Sequence, residues 1–389
     1  MYKSTPALAP VLFIPGMIYR AGVYLRNRVF DSGLISARCL PQLTLSVGNL
    51  SMGGTGKTPF VIYLAGLVEE MGYTAAVLTR GYGRHEPGKT VIMPPGETSI
   101  LDFSASQLGD EPALIRRRLP KAWLGISNDR FYAANAIERQ IEPARAARLV
   151  FILDDGFQRR DICRDLDIVM IDSSQPPDVE RLFPLGALRE PVAELRRADI
   201  VIINSPATAD TTGTQNSSVV TTRENLRKYA PEADFFHCVQ RICKIIPFSD
   251  WIDYQQPSHL REPAGIMPKT AFLAAAIGNP NRFKRDIQSL GIETRGCAFF
   301  KDHAVIGKKD WETCVGAARK LNAEAIIITE KDTVKISSRP DFPLLVAVQN
   351  TELLKAERFR EILQSRLHCV PLCYGHGSAR HGSAGVPPA

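Results

Sequence analysis

A glycine-rich segment carries the strongest chemical signal in the sequence. It runs from residue 48 to 59 and includes, in order, Gly53, Gly54, Thr55, Gly56, Lys57 and Thr58. Glycines allow backbone N–H groups to turn toward phosphate oxygens, and a helix that follows adds partial positive charge. A lysine and a threonine at these places suit the β and γ phosphates and Mg²⁺. The segment predicts an ATP-binding P-loop, with one departure: Ser51 stands where the general pattern has glycine.

Two adjacent carboxylates, Asp154 and Asp155, end an apolar run that starts at Leu149. Mg²⁺ prefers hard oxygen ligands, and a strand end facing a P-loop is where such a ligand is needed. The alternative is a polar turn that caps a buried strand. Together with the P-loop, the pattern favours a magnesium-binding role.

Several other polar clusters follow strand-like runs. Arg80 and Asp110 are placed to stabilise a transferring phosphoryl group and to accept a proton, respectively, if both lie at the carboxyl ends of the sheet. Further clusters of this kind occur at 183–191, 277–280, 300–303 and 329–332. Each cluster alone is more often a turn than a site, but together they indicate a shared cleft.

The elements that must position these residues alternate regularly. Short apolar, β-branched runs at 43–47, 75–78, 149–153, 167–171 and 200–203 are each followed by a loop and a helical pattern. This alternation is typical of an α/β fold with a doubly wound, mainly parallel sheet, as in P-loop NTPases. A second series of strands and helices after residue 269 predicts a smaller α/β domain.

The length of 389 residues favours two globular domains over one. We predict an amphipathic membrane-associating segment at 1–40, a P-loop kinase domain at 41–232, a β linker at 233–268 and the smaller α/β domain at 269–373. The final residues, 374–389, are rich in Gly, Ser, Ala and Pro, so we expect them to be disordered.

Charge and composition narrow the partners. A formal net charge of +7 favours an anionic partner, and no apolar run is long enough to span a bilayer. We find no basic stripe with interleaved aromatic residues, so no nucleic-acid partner is expected. The eight cysteines include no CxxC pair, which makes a zinc site improbable and favours reduced thiols over a disulfide framework. The sequence does not indicate an oligomeric state.

The segment 11–40 interleaves apolar residues with four arginines and a single acid, Asp31. It lacks a convincing cleavage site, so we do not read it as a signal peptide. Two interpretations remain open: a helix that lies on an anionic membrane surface, or a helix docked on its own domain with solvated arginines.

Taken together, the motifs resemble one family, the tetraacyldisaccharide 4′-kinases of lipid A biosynthesis. The resemblance extends from about residue 12 to 349 and rests on the ordered segments GNLSMGGTGKTPF, LTRGYGR, GDEP, LDDGFQ, PLGALREP, AAIGNP, KDH and TEKD. It implies two α/β/α domains joined by a β linker, attached peripherally to the cytoplasmic face of the bacterial inner membrane. It also implies transfer of the γ-phosphate of ATP to a lipid-linked tetraacyldisaccharide 1-phosphate, giving lipid IVA.

The resemblance also implies roles for individual residues. Asp110 and His303 would act on the acceptor hydroxyl, with Arg189 and Tyr82 supporting the site. Thr58, Asp155 and Glu190 would hold the metal, and Lys57 the phosphates. The family often has a second histidine after the one that matches His303, and this chain has Ala304 there.

The main alternative is a P-loop GTPase or metallochaperone-type ATPase. The residues 329–332, Thr-Glu-Lys-Asp, superficially match the guanine-reading Asn-Lys-x-Asp element, but they lie too far along the chain from Lys57 for one small GTPase domain. A nucleic-acid-binding ATPase is supported only by the basic charge.

Overall fold

The structure is a computed structural model that describes residues 9–82, 84, 86, 88–96, 105–205, 217–253, 267–302, 304–336 and 340–368. The predicted disordered tail at 374–389, the part of the predicted linker at 254–266 and His303 lie outside these ranges.

A single mixed sheet of twelve strands runs through the described part of the chain. The strands are β1 (Leu43–Asn49), β2 (Thr74–Thr79), β3 (Val91–Met93), β4 (Trp123–Ile126), β5 (Leu149–Asp154), β6 (Leu166–Asp172), β7 (Ile200–Ser205), β8 (Asp234–Pro247), β9 (Thr270–Ala275), β10 (Glu293–Phe299), β11 (Ala325–Thr329) and β12 (Leu344–Leu353). Their order is β10-β9-β11-β12-β8-β7-β6-β1-β5-β2-β4-β3. Only the β12–β8 and β3–β4 pairs are antiparallel among these strands.

Twelve α-helices and one 3₁₀ helix are defined in the described ranges. They are α1 (Ala9–Asp31), α2 (Lys57–Glu70), α3 (Ala105–Leu108), α4 (Asp110–Arg118), α5 (Arg130–Glu138), α6 (Pro143–Ala146), the 3₁₀ helix Val192–Arg197, α7 (Ser217–Arg227), α8 (Phe248–Asp253), α9 (Pro280–Ser289), α10 (Lys308–Lys320), α11 (Glu330–Thr333) and α12 (Ala356–His368). The predicted fold class, a P-loop-like and mainly parallel α/β sheet, is confirmed.

The centre of the sheet explains why the catalytic motifs meet. Every residue of β1 is buried, because the strand is paired on one side with β5 and on the other with β6. Strands covered on both faces are mostly apolar, in agreement with the short apolar, β-branched runs from which the sequence predicted them. In this register Val47 lies beside Asp154, so the carboxyl end of β5 emerges next to the start of the P-loop.

The long strand β8 links the two series of strands. It pairs in parallel with β7 and antiparallel with β12, and its fourteen residues fall in the predicted β linker. The sheet is therefore continuous across the junction, while the domain boundaries themselves stay a prediction.

The helix α1 has one docked side and one exposed side, and its association with a membrane stays a prediction. One side docks on the protein, where the Tyr19 ring meets Phe183 edge to face at 5.5 Å and Asp31 pairs with Arg160 at 2.7 Å. The other side leaves apolar side chains exposed, with Ile14 at 68% and Ile18 at 69%. A helix that is docked on one face and apolar on the other has a surface available for a lipid headgroup region.

The expectation of reduced thiols is wrong for one pair of cysteines. Cys39 and Cys163 form a disulfide that joins the segment after α1 to the β5–β6 connection. They are 124 residues apart and belong to no local motif, so sequence spacing gives no signal for the pair. The other cysteines in the described ranges are free: Cys238, Cys243, Cys297 and Cys314.

Candidate active site

The glycine-rich segment forms a tight turn between β1 and α2. Gly53 and Gly56 have φ angles of 124° and 88°, in the region that favours glycine. A Cβ at Gly56 would also lie 2.2 Å from the side-chain nitrogen of Gln240. The helix begins at Lys57, so that Lys57 and Thr58 lie in its first turn, where the N-terminal N–H groups are unpaired. This is the geometry expected of a phosphate-binding loop.

Two buried side-chain amides donate hydrogen bonds to backbone carbonyl groups of the loop. Asn204, at the end of β7, donates to the carbonyl of Thr55 at 3.0 Å, and Gln240, on β8, donates to the carbonyl of Gly56 at 2.9 Å. Neighbouring strands therefore fix the conformation of the loop through its carbonyl oxygens. The sequence analysis missed both residues, because isolated amides inside apolar strands belong to no motif.

The two carboxylates at the end of β5 occupy different environments. Asp154 is buried and accepts a hydrogen bond from the Thr79 hydroxyl at 3.0 Å. Burial, with the nearby charges of Glu111 and Asp155, raises the pKa of Asp154. Lys57 and the hydrogen bond from Thr79 act in the opposite direction but do not outweigh burial.

Asp155 lies between two cations. Its carboxylate is 3.5 Å from Lys57 Nζ and 2.7 Å from Arg189 Nη1. Burial alone would raise its pKa, but Lys57 and Arg189 outweigh burial and lower the pKa of Asp155. The residue adopts a positive φ of 55°, unusual for a non-glycine residue, at the turn where the strand delivers its carboxylate.

Arg189 is fixed by backbone as well as by its side chain. Its N–H donates to the Leu50 carbonyl at 2.7 Å, and its own carbonyl accepts from the Tyr19 hydroxyl at 2.9 Å. The PLGALREP segment is thereby joined to the P-loop on one side and to α1 on the other. Three predicted site residues, Lys57, Asp155 and Arg189, thus meet in one cluster.

Glu190 points elsewhere. Its side chain is 1% exposed, and its two oxygens pair separately with Arg26 of α1 and with Arg197. Both oxygens are therefore occupied by guanidinium groups. The structure does not bring Glu190 into any described contact with the other predicted metal ligands, Thr58 and Asp155.

Asp110 is the first residue of α4. The residue before it, Gly109, is difficult to replace with any other amino acid. Gly109 has a φ of 91°, and a Cβ there would lie 2.7 Å from the carbonyl oxygen of Tyr82. The GDEP and RGYG segments consequently pack on each other. The Asp110 carboxylate is 3.3 Å from Nζ of Lys335, a residue from the second series of elements that the sequence analysis missed. Its predicted partner, His303, lies outside the described residues.

A cleft of about 2480 Å³ collects most of these groups. Predicted site residues that line it are Gly53, Gly54, Thr55, Gly56, Lys57, Thr58, Arg80, Tyr82, Asp155 and Arg189, together with Asp154, Glu111 and Lys331. Tyr82 is 70% exposed on its wall, where an acceptor has access to it. The cleft therefore unites a phosphate-binding loop, carboxylates and cations, as phosphoryl transfer requires.

Comparison with known proteins identifies relatives over most of the chain. A family model described as tetraacyldisaccharide-1-P 4′-kinase (LpxK) matches residues 8–368. A tetraacyldisaccharide 4′-kinase of Syntrophus aciditrophicus is 36% identical over 337 residues, which is 86% of this chain and 86% of the relative. A tetraacyldisaccharide 4′-kinase of Geobacter sulfurreducens is 34% identical over 331 residues, 85% of each chain.

A solved structure shows the same architecture. LpxK from Aquifex aeolicus, in complex with ATP, superposes with a TM-score of 0.69 at 25% sequence identity. The match covers 93% of this chain and 100% of that one.

Proposed function

We propose a mechanism for this chain from the premise that it belongs to the tetraacyldisaccharide 4′-kinase family. It is an ATP-dependent kinase that phosphorylates the 4′-hydroxyl of a lipid-linked disaccharide. The observation that carries the site assignment is the position of Lys57, in the first turn of α2 and 3.5 Å from Asp155. A lysine placed in this way binds the β and γ phosphates and stabilises charge on the transferring group.

The residues at the floor of the cleft fit a magnesium ion. Asp155 Oδ1 is buried and accepts no hydrogen bond, its ion pair with Lys57 being 3.5 Å long. Such an oxygen suits Mg²⁺, which is commonly held by one or two carboxylates plus substrate phosphates. Thr58 and Asp155 would hold the ion, which when bound neutralises phosphate charge.

In this mechanism Glu190 is not a metal ligand and has a different role. Because Arg26 and Arg197 occupy both of its oxygens, we assign it to joining α1 to the segment that carries Arg189. Arg189 in turn holds Asp155 in place and supplies positive charge beside it.

The acceptor hydroxyl is a poor nucleophile at neutral pH, and in a loose transition state it mainly needs to be positioned, with late removal of its proton. We assign proton removal to Asp110, at the start of α4, and assistance to His303 on the strength of the KDH motif. A cleft that closes over both substrates would bring these groups together only when transfer is to occur.

The test of this mechanism is incubation with labelled ATP and tetraacyldisaccharide 1-phosphate, followed by chromatographic separation of the lipids. Asp110→Asn and His303→Ala should each lower kcat by roughly 100-fold or more, the usual range for loss of acid–base assistance. ATP binding should survive in both variants, and the double variant should lose little more than the worse single one. Full turnover by either variant, or fully additive losses in the double variant, would contradict the pair.

The alternative function, a P-loop GTPase, is not favoured. Asp332, which would have to read guanine, is 0% exposed and accepts hydrogen bonds from the Thr329 hydroxyl and the Ala276 N–H. A carboxylate committed inside the protein is not available to a nucleotide base. Turnover of GTP at a rate comparable with ATP would revive that reading.

For location, we propose peripheral attachment to the cytoplasmic face of the inner membrane. Among the described helices, none is long and apolar enough to cross a bilayer. The support is the exposed apolar face of α1, flanked by arginines that would meet anionic headgroups. Because the lipid-linked acceptor is itself held in a bilayer, this location would bring the cleft to its substrate.

A further inference from the structure

We propose that Lys335 is a positioning residue for Asp110, fixing the carboxylate that accepts the proton of the sugar hydroxyl. The proposal rests on the role given to Asp110 above. It concerns a buried ammonium group that no motif marks and that follows α11, in the second series of strands and helices.

The Lys335 ammonium is held at a defined point. Its side chain is 1% exposed, and Nζ lies 2.9 Å from the Ala276 carbonyl, 3.1 Å from Asp332 Oδ1 and 3.3 Å from Asp110 Oδ2. An ammonium group has three N–H bonds, and each of these neighbours can take one. The orientation of the group is therefore determined by its surroundings.

The partners of Lys335 in the second series of strands and helices are themselves held by hydrogen bonds. Asp332 is 0% exposed and is fixed by the Thr329 hydroxyl at 2.6 Å and by the Ala276 N–H at 3.2 Å. Lys335 is thus anchored between the end of β9 and the residues of α11. The third partner is Asp110, whose side chain is 13% exposed and which belongs to α4.

The charges show why this contact matters for Asp110. A buried cation is expensive unless it is paired, so the ammonium holds its carboxylates firmly. The ion pair to Oδ2 restrains the Asp110 carboxylate and so limits the positions that Oδ1 can take. A positioned base gains more than a mobile one, since small displacements of a reacting group cost rate.

The contact between Lys335 and Asp110 is one of several ion pairs that join α4 to α11 and the turn after it. We call this row of ion pairs the seam. Beside the contact, Arg118 of α4 pairs with Glu330 of α11 at 2.7 Å, and Lys331 lies 3.5 Å from Glu111. These neighbouring pairs join α4 to α11 through Glu330 and Glu111, whereas Lys335 pairs with the Asp110 carboxylate itself. Lys335 can therefore affect the base directly.

The experiment is a double-substitution cycle with Lys335→Met and Asp110→Asn, with kcat and both KM values measured in the labelled-ATP assay. Lys335→Met should lower kcat by roughly 10- to 100-fold with the KM for ATP changed by less than about threefold. In the Asp110→Asn background the same change should cost less than about threefold, because the carboxylate it positions is gone. Losses that multiply in the double variant would overturn the proposal.

Two further variants make the outcome decisive. Lys335→Gln keeps a donor for the Ala276 carbonyl and substitutes for the methionine variant if that fails to fold. Arg118→Met breaks the neighbouring buried pair, so it should lower the melting temperature while kcat stays within about threefold of wild type. A loss of kcat in Arg118→Met as large as in the Lys335 variants would show that the seam as a whole, not Lys335, is responsible.

The failure of the proposal and the failure of the underlying mechanism are distinguishable. If Asp110→Asn keeps wild-type turnover, the role of Asp110 as base is wrong, and the role of Lys335 falls with it. If Asp110→Asn is impaired while Lys335→Gln and Lys335→Met are not, only the role of Lys335 is wrong.

Discussion

Gln240 donates a hydrogen bond from its side-chain amide to the carbonyl oxygen of Gly56, at 2.9 Å. The donor is on β8, and the acceptor is the residue that caps the P-loop helix. Asn204 makes the equivalent bond to the carbonyl of Thr55 from β7. The shape of the phosphate-binding loop therefore depends on two strands outside the P-loop motif.

Gln240→Leu should weaken ATP binding. The leucine removes the donor and leaves a buried carbonyl without its bond, which costs about 1–3 kcal/mol. If that cost falls on the loop conformation that binds phosphate, the KM for ATP rises by roughly 5- to 100-fold, while the KM for the lipid acceptor changes little. Gln42→Leu, which removes a glutamine bond to Glu138 at 2.8 Å, is the matched control. Equal effects on both KM values would contradict a local action on the P-loop.

Lys57→Met should abolish phosphoryl transfer in a protein that remains folded. The ammonium is 14% exposed at the cleft, so its loss removes little packing, but the transition state loses several kcal/mol of charge stabilisation. Lys89→Met, at an exposed lysine paired with Glu86, serves as the control. Transfer by Lys57→Met within about tenfold of wild type corresponds to only ~1.4 kcal/mol and would refute the assignment.

The central strands could be predicted from the sequence because a short apolar, β-branched run marks each of them within its own segment of the chain. The strands β1, β5 and β7 are buried along their whole length and are mostly apolar, although Thr44 and Ser46 interrupt β1. The bounds of β10 were not predicted, although the cluster at 300–303 was expected to follow a strand-like run, since Glu293–Phe299 alternates exposed and partly exposed residues at the sheet edge and contains a glycine.

The same contrast applies to the site. Lys57 and Asp155 belong to contiguous motifs and were predicted together, whereas Lys335 acquires its meaning only when folding brings it to Asp110. Glu190 shows the converse case. Its assignment as a metal ligand stays a prediction, but the structure pairs it with Arg197, seven residues along the chain, and with Arg26 from the distant helix α1.

Glu190→Gln should therefore leave the magnesium requirement unchanged. The glutamine still fits between the arginines but removes their counter-charge, so the expected effect is weaker docking of α1 and a lower melting temperature. The Mg²⁺ concentration for half-maximal activity should shift in Asp155→Asn and not in Glu190→Gln. A comparable shift in both variants would restore Glu190 to the metal site.

Substitution of the exposed face of α1 should release the protein from membranes. Ile14→Glu with Ile18→Glu places charge at two side chains that are 68% and 69% exposed, so folding should be unaffected while burial in the headgroup region becomes costly. Co-sedimentation with anionic liposomes should fall and should already weaken with salt in the wild type. Leu321→Glu, at an exposed leucine after α10, is the control. Unchanged co-sedimentation of the double variant would favour a helix that serves only to dock on its own domain.

Glu69, near the end of α2, should make stability depend on pH. Burial raises the pKa of Glu69 from 4.5 to about 7, and Lys121 only partly opposes this. The folded state thus holds the proton more tightly than the unfolded state. Between pH 4.5 and about 7 the unfolded chain has released the proton while the folded chain retains it, so this carboxyl makes stability fall as pH rises through that window, with no further fall above it.

Glu69→Gln removes that fall, because an amide stays neutral at every pH. The melting temperature of the variant relative to wild type should therefore increase from pH 5 to pH 8. Glu70→Gln, at the adjacent exposed carboxylate that pairs with Arg360 at 2.6 Å, reports the general effect of removing one acidic charge from this helix. A difference between Glu69→Gln and wild type that is the same at both pH values, or that widens equally in Glu70→Gln, would show that burial of Glu69 does not control the dependence.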